Sequence, residues 1–122
     1  MNIEDVQPDR RYFDSGVLMY ECFRNKNGER AGISRHWHEN GQLMSESNYI
    51  EGLADGVIRQ WTESGRLIIY SEYRNGKLHG RYQNWRDDGR LKEDGYYVDG
   101  KRQVGYRWFK SDGSLWSTIE AE

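Results

Sequence analysis

The chain of 122 residues is long enough for one domain with a modest core. Charged residues make up 31% of it and the mean hydropathy is −1.07, but five Trp, nine Tyr and three Phe exclude a disordered chain, because disordered segments contain few aromatic residues. The net charge of −2 argues against nucleic acid as a partner, and a single cysteine, Cys22, excludes an internal disulfide framework.

Residues 1–15 precede the first clear repeat, and we interpret them as an N-terminal cap segment. The opening stretch MNIEDVQPDRR contains no apolar run, so we expect no signal peptide. No other stretch approaches the length of a membrane span. We therefore expect a reduced, cytoplasmic setting.

Residues 16–116 repeat with a period of 24 residues, and residues 117–122 are interpreted as a C-terminal tail. One glycine series is followed two residues later by leucine in each copy: Gly16, Gly41, Gly65, Gly89 and Gly113, with Leu18, Leu43, Leu67, Leu91 and Leu115. Two more glycine series are Gly28, Gly52, Gly76 and Gly100, and Gly32, Gly56 and Gly80. The aromatic series are Trp37, Trp61, Trp85 and Phe109, and Tyr49, Tyr73 and Tyr97. These interlocked series predict about four and a half structural units.

Two turn signals in each unit separate segments of ordinary strand length. Connections this short allow only antiparallel neighbours, so each unit is predicted to be a β-hairpin. The chain is then an all-β meander that forms an elongated, twisted single-layer sheet or solenoid. We expect the recurring Leu, Tyr and Trp or Phe side chains to form one stripe along one face, with much of the other face in water.

The stretch YRNGKLHGRYQNWRDDGRLKEDGYYVDGK resembles the MORN repeat, and specifically its bacterial variant, the YwqK-like family. The resemblance covers about Gly16 to Leu115. Two places depart from the pattern. The first unit has one extra residue before Gly28. In the segment GKRQVG, position 104 should be glycine by the spacing of the series but is Val104, and the glycine follows it as Gly105.

The resemblance implies a non-enzymatic protein that binds a protein partner, because proteins similar to this one are described as antitoxins or immunity proteins against a secreted bacterial toxin. It implies no catalytic residues and no cofactor. Classical MORN proteins are linked instead to membrane lipids and scaffolding. A membrane-associated or self-assembling scaffold, with homo-oligomers, therefore remains an alternative, although the net acidity disfavours contact with anionic lipids.

Chemical sites were also considered. His36 and His38, with Cys22 or Glu39, contain metal-binding residue types, and the acids near Asp88 and Asp99 could surround calcium. The acids do not follow the spacing of an EF-hand loop, and we interpret them as solvated surface. We interpret the histidines as ordinary polar strand residues and Cys22 as a packed small side chain. We expect no metal site and no catalytic residue.

Aromatic residues that do not recur in every unit are the candidate partner contacts, because the fold does not require them and interfaces favour Tyr and Trp. Trp116 is also non-recurring. The predicted anchors are Tyr70, Tyr82, Tyr96, Tyr106 and Trp108. The predicted steering acids, which would meet a basic partner, are Asp87, Asp88, Glu93 and Asp94.

Overall fold

A computed structural model describes residues 6–122, which form one open antiparallel sheet and confirm the predicted all-β hairpin-repeat fold. In this part of the chain there is no helix long and apolar enough to cross a membrane. The strands of residues 6–122 are β1 (Gln7–Tyr12), β2 (Leu18–Arg24), β3 (Gly32–Trp37), β4 (Leu43–Ile50), β5 (Leu53–Ala54), β6 (Gly56–Trp61), β7 (Leu67–Arg74), β8 (Lys77–Trp85), β9 (Leu91–Val98), β10 (Lys101–Arg102), β11 (Arg107–Phe109) and β12 (Leu115–Thr118).

The strand order is a meander, β1-β2-β3-β4-β6-β7-β8-β9-β11-β12, in which strands adjacent in sequence are neighbours in the sheet. The two-residue strands β5 and β10 pair with β4 and β9. Across residues 6–122 the sheet therefore consists of five consecutive hairpins: β1-β2, β3-β4, β6-β7, β8-β9 and β11-β12.

The sheet extends beyond the predicted repeat boundaries at both ends. In β1, Tyr12 pairs with Leu18 in the same way that Trp37 pairs with Leu43, so β1 is a regular repeat strand within the predicted cap segment. The 24-residue spacing does not reveal it because Tyr12 is one residue out of period, and because Asp9 and Arg11 differ from the residues at the equivalent positions of later units. At the other end, the Ile119 N–H donates to the Tyr106 carbonyl over 2.9 Å, so the sheet continues into the predicted tail.

The departures from the repeat are differences in turn type. The turns after β4, β7 and β9 have two central residues with positive φ, such as Asn75 (51°) and Gly76 (80°), which suits the right-handed twist of a hairpin. The extra residue of the first unit makes a longer turn, in which the Asn25 side chain accepts hydrogen bonds from the backbone N–H groups of Asn27 and Glu29. In the last unit the positive φ falls at Gly105 (90°).

Hydrogen bonds join the turns of adjacent repeats along both rims of the sheet. On one rim, the N–H groups of Gly52, Gly76 and Gly100 donate to the carbonyls of Arg30, Ala54 and Leu78 over 2.8–2.9 Å. On the other rim, side chains donate: His38 to the Trp61 carbonyl and Arg86 to the Phe109 carbonyl, each over 2.9 Å. Each unit is thus held mainly by its neighbours, as in other repeat proteins.

The two faces of the sheet have different side chains, and the prediction of one stripe is wrong. Tyr97 contacts Tyr82 and Tyr106, with ring centroids 5.7 and 5.5 Å apart, and we call this side the ring face. Arg107 directly follows Tyr106, and because successive side chains of an extended chain alternate, it points to the opposite side. Phe109 lies under the Arg107 guanidinium and is therefore on that opposite side as well. The recurring Tyr series and Phe109 are therefore on different faces, because strand residues alternate.

The core is a row of alternating small and large side chains across the middle of the ring face. Register places Ser71 between Ile58 and Tyr82, and Tyr82 opposite Gly95. The next side chain in this row is Tyr106, which has no exposed surface. Gly95 is the one glycine of the chain without a positive φ, so its role is steric rather than conformational. A Cβ at residue 95 would lie 2.7 Å from Cγ and 2.9 Å from Cα of Tyr106.

We predict that Gly95→Ala destabilises the protein by about 1–3 kcal/mol, because overpacking a close contact with a neighbouring backbone cannot be relieved by side-chain rotation. Urea denaturation followed by circular dichroism measures the change. Ser47→Ala is the matched control, since residue 47 occupies the equivalent position and already has a Cβ.

The double variant Gly95→Ser/Tyr106→Ile copies into the last repeat the Ser47 and Ile58 positions, which face each other between β4 and β6. It should be more stable than Gly95→Ser alone, because the smaller side chain makes room for the new Cβ. Equal stability of the wild type and Gly95→Ala would contradict the packing described above.

A second prediction concerns the turn at Glu51, whose φ of 48° is unfavourable for a glutamate. Asn75 occupies the equivalent position of the next repeat with a φ of 51°. Glu51→Asn should stabilise the protein by about 1 kcal/mol or less, because asparagine tolerates this conformation better. Asn75→Glu should destabilise it by a similar amount, and thermal melts of both variants should shift in opposite directions.

Candidate binding surface

An alternating row of charged side chains crosses the face opposite the ring face, and we call this side the ladder face. The Arg10–Glu21 and Arg35–Glu46 pairs have N–O distances of 2.7 and 2.9 Å. In register, the row reads Arg10, Glu21, Arg35, Glu46, Arg59, Tyr70, Gln83, Asp94 and Arg107. Opposite charges on neighbouring strands attract, so the row favours the observed strand register.

Asp94 is the most buried acid of this row, with 5% of its surface exposed. Its carboxylate accepts hydrogen bonds from Arg81 Nη2 (3.0 Å) and Arg107 Nη2 (2.6 Å). A carboxylate shared by two arginines and removed from water is not available to steer a partner. The structure therefore corrects the prediction for Asp94, which joins β8, β9 and β11.

The predicted anchors are divided between the two faces of the sheet. Tyr70 and Tyr96 lie on the ladder face, beneath the guanidinium groups of Arg59 (5.4 Å to the ring centroid) and Arg81 (5.6 Å). Tyr96 is half exposed. The other three predicted anchors, Tyr82, Tyr106 and Trp108, lie on the ring face. One flat partner surface cannot contact both groups.

Tyr106 is a core residue, and its predicted role as an exposed anchor is wrong. None of its surface is accessible, and its ring contacts those of Tyr97 and Trp108. Burial, followed by interactions with Tyr97, raises the pKa of Tyr106 well above its ordinary value, so the hydroxyl remains protonated. That hydroxyl donates a hydrogen bond to Glu93 Oε1 over 3.0 Å.

The predicted steering acids also separate. Asp87 and Asp88 lie exposed in the turn between β8 and β9, where Asp88 Oδ1 accepts a hydrogen bond from the Arg90 N–H over 2.9 Å. Glu93 lies on the ring face, next to Tyr106. Of the four acids, only Glu93 is therefore in contact with a predicted aromatic anchor of the ring face.

The structure does bring together an aromatic surface at the C-terminal end of the ring face. Trp108 packs on Tyr106 with ring centroids 4.8 Å apart. Trp108, Trp116 and Ser117 line an open groove of about 380 Å³, and Trp116 is 71% exposed. We define the C-terminal ring surface as Glu93, Tyr97, Arg102, Tyr106, Trp108 and Trp116.

Arg102 and Trp116 belong to this surface but were not among the predicted anchors. Arg102 corresponds to Ala54 and Leu78 in the two middle repeats and to Arg30 in the first, so its departure from the middle repeats was a usable signal. Trp116 is also non-recurring, and that was the sequence signal for it. Its exposure follows from β12 having no further strand beyond it in the sheet of residues 6–122.

The residues considered for a metal site have other contacts. The His36 ring lies 4.4 Å from that of Tyr20, and burial together with the nearby Arg30 charge lowers the pKa of His36. His38 donates to the Trp61 carbonyl, and Cys22 is fully buried. Among residues 6–122, no group of three or more His, Cys, Asp or Glu side chains is arranged to hold a metal ion.

Comparison with known proteins identifies one of the hairpins. A family model described as MORN repeat variant matches residues 30–51, which comprise β3, the following turn and β4. No curated protein matches the chain. The chain therefore contains a MORN repeat variant, a type of repeat that serves as a binding module and is not a known enzyme family. The other four hairpins share the strand pairing of the matched unit.

A third prediction tests the structural role of Asp94. Asp94→Ala should destabilise the protein by about 1–3 kcal/mol, because it removes hydrogen bonds to two charged groups in a buried position. Asp87→Ala, at an exposed acid of the turn between β8 and β9, should change stability by less than about 0.5 kcal/mol. Thermal denaturation of both variants is the measurement, and equal effects would show that Asp94 is not a structural link.

Proposed function

We propose that this protein is a non-enzymatic binding module that engages a protein partner through the C-terminal ring surface. The observation that carries the proposal is the exposure of Trp116 next to a groove walled by Trp108, at one end of a sheet whose other aromatic rings are mostly covered. Exposed Trp side chains beside a pocket are typical of residues that dominate binding energy in interfaces.

The partner we propose is the toxin domain of a bacterial toxin, which this protein would neutralise as an immunity protein in the cytoplasm. The resemblance of the repeats to the YwqK-like family supports this more specific role. A protein that inhibits a toxin by covering its catalytic cleft needs no catalytic residues of its own. A contact surface of aromatic rings and a few charges is consistent with that role.

The partner is identified by affinity capture from the host organism, followed by co-expression. A captured protein that inhibits growth when expressed alone, and that becomes harmless when this protein is co-expressed, would support the immunity role. Capture of membrane lipid instead, or concentration-dependent self-association in light scattering without another protein, would support the scaffold alternative and contradict the proposal.

The fourth prediction is that Trp116→Ala weakens partner binding by at least about tenfold, since truncating a central Trp of an interface often costs 2 kcal/mol or more. The melting temperature should change little, because the ring is exposed. Tyr12→Ala is the matched control: Tyr12 is also an exposed ring, 57% accessible, on the first strand at the opposite end of the sheet. Calorimetric titration of both variants measures the change, and equal losses would place the site elsewhere.

A further inference from the structure

The guanidinium of Arg102 lies among three aromatic rings of the C-terminal ring surface. Its Cζ is 5.6 Å from the ring centroid of Tyr97, 5.1 Å from that of Tyr106 and 5.4 Å from that of Trp108. These distances are in the range in which a cation is attracted to the face of an aromatic ring. Arg102 Nη2 is also 3.8 Å from Glu93 Oε1. Three rings and a carboxylate around one cation form an aromatic cage.

The walls of this cage are fixed by contacts that do not involve Arg102. The rings of Tyr97 and Tyr106 meet edge to face, with an interplanar angle of 85°. The Tyr106 hydroxyl holds the Glu93 carboxylate in place through a hydrogen bond of 3.0 Å. A cage whose walls are fixed before binding loses little side-chain entropy when a cation enters it.

The repeat fold does not require this cage, because other residue types occupy most of the equivalent positions in the two middle repeats. Uncharged, non-aromatic side chains occupy the equivalent positions in the two middle repeats. These are Ala54 and Leu78 for Arg102, Gln60 and Asn84 for Trp108, and Ser45 and Ile69 for Glu93. In the first unit Arg30, His36 and Tyr20 occupy these positions, but Arg24 and Ser34 stand where the last repeat has Tyr97 and Tyr106. The complete set of three rings, one carboxylate and one arginine therefore belongs to the last repeat, and the middle repeats fold without it.

Arg102 is positioned so that another cation could replace it. It belongs to the two-residue strand β10, which pairs with β9 through Lys101–Val98 and Arg102–Tyr97. Its side chain is 46% exposed, so the guanidinium is open to solvent on one side. The Glu93 carboxylate, 3.8 Å from the guanidinium, supplies the negative charge that would attract an incoming cation.

We propose that this cage is a binding site for an arginine side chain of the partner, and that Arg102 occupies it in the free protein. The occupant seen in the structure is a guanidinium, which is why arginine is the chemistry assigned. An incoming guanidinium restores the ring contacts and the ion pair that Arg102 gives up, so the exchange replaces like with like. Identifying the ligand as a partner's side chain rests on the proposed function; the cation site itself does not.

The test uses the full chain with Arg102→Ala, which empties the cage, and methylguanidinium chloride as the probe. Alanine is tolerated at the equivalent position, where the chain has Ala54, so the variant should fold. We expect methylguanidinium to raise the melting temperature of Arg102→Ala and to shift the indole N–H signal of Trp108 in a saturable way. Sodium chloride at equal ionic strength should do neither, and the wild type should respond less because its cage is filled.

Arg59→Ala is the matched control, because Arg59 lies over the single ring of Tyr70 on the opposite face and leaves no cage behind. The same response in Arg59→Ala, or none in Arg102→Ala, would overturn the proposal. If Arg102→Ala folds poorly, Arg102→Leu, which copies Leu78, takes its place. Adding Trp108→Ala to that chain removes one ring and should abolish the rise in melting temperature that methylguanidinium causes.

Binding of the partner separates this inference from the proposed function. With a partner in hand, Arg102→Ala should bind it several-fold more tightly, because the competing internal cation is gone, and Arg59→Ala should bind it unchanged. Weaker binding by Arg102→Ala would contradict the exchange. If the probe binds but no protein partner exists, the cation site stands and the proposed function fails.

Discussion

The contact between Tyr106 and Gly95 shows the constraint on which this structure depends: a single-layer sheet has no second layer, so a side chain is buried only by its neighbours on the same face. A large ring can be fully buried in such a sheet only where the adjacent strand offers a very small residue. Along the middle row the large members grow from Ile58 through Tyr82 to Tyr106, and the residue between the last two is glycine. The rings therefore accumulate towards the C-terminal end, and the aromatic surface there follows from the packing of the core.

On the ladder face, too, side chains can interact only with neighbours on the same face, and there the interactions are ion pairs between adjacent strands. Exposed ion pairs contribute only about 0–1 kcal/mol each, so the row of arginines and acids adds little to stability. Its larger effect is on register, because moving a strand by one residue would remove the facing opposite charges and turn its side chains to the wrong face. Asp94 is the exception: it is buried and held by two arginines, so it acts as a link between strands rather than as a surface charge.

The spacing of glycines predicts the hairpins and their order because a two-residue turn has strict backbone requirements that few residues meet, as at Asn75 and Gly76. The first strand escaped prediction since Tyr12 fills the tryptophan position one residue out of period. The burial of Tyr106 was not predicted, because it depends on Gly95 of the adjacent strand, which is a neighbour across the sheet and not along the chain. Gly95 belongs to none of the periodic glycine series, and that irregularity was the sequence signal for the contact.

Function in a repeat protein is indicated by departures from the repeat only where several of them meet on one surface. Tyr70 and Tyr96 depart from it but lie apart from the ring face, each under an arginine. At the C-terminal end the departures converge around Arg102. The N-terminal hairpin has the same backbone, yet Asp9 and Arg11 stand where the last hairpin has Tyr106 and Trp108. The two ends of the sheet thus share a fold and differ in the chemistry of their ring faces.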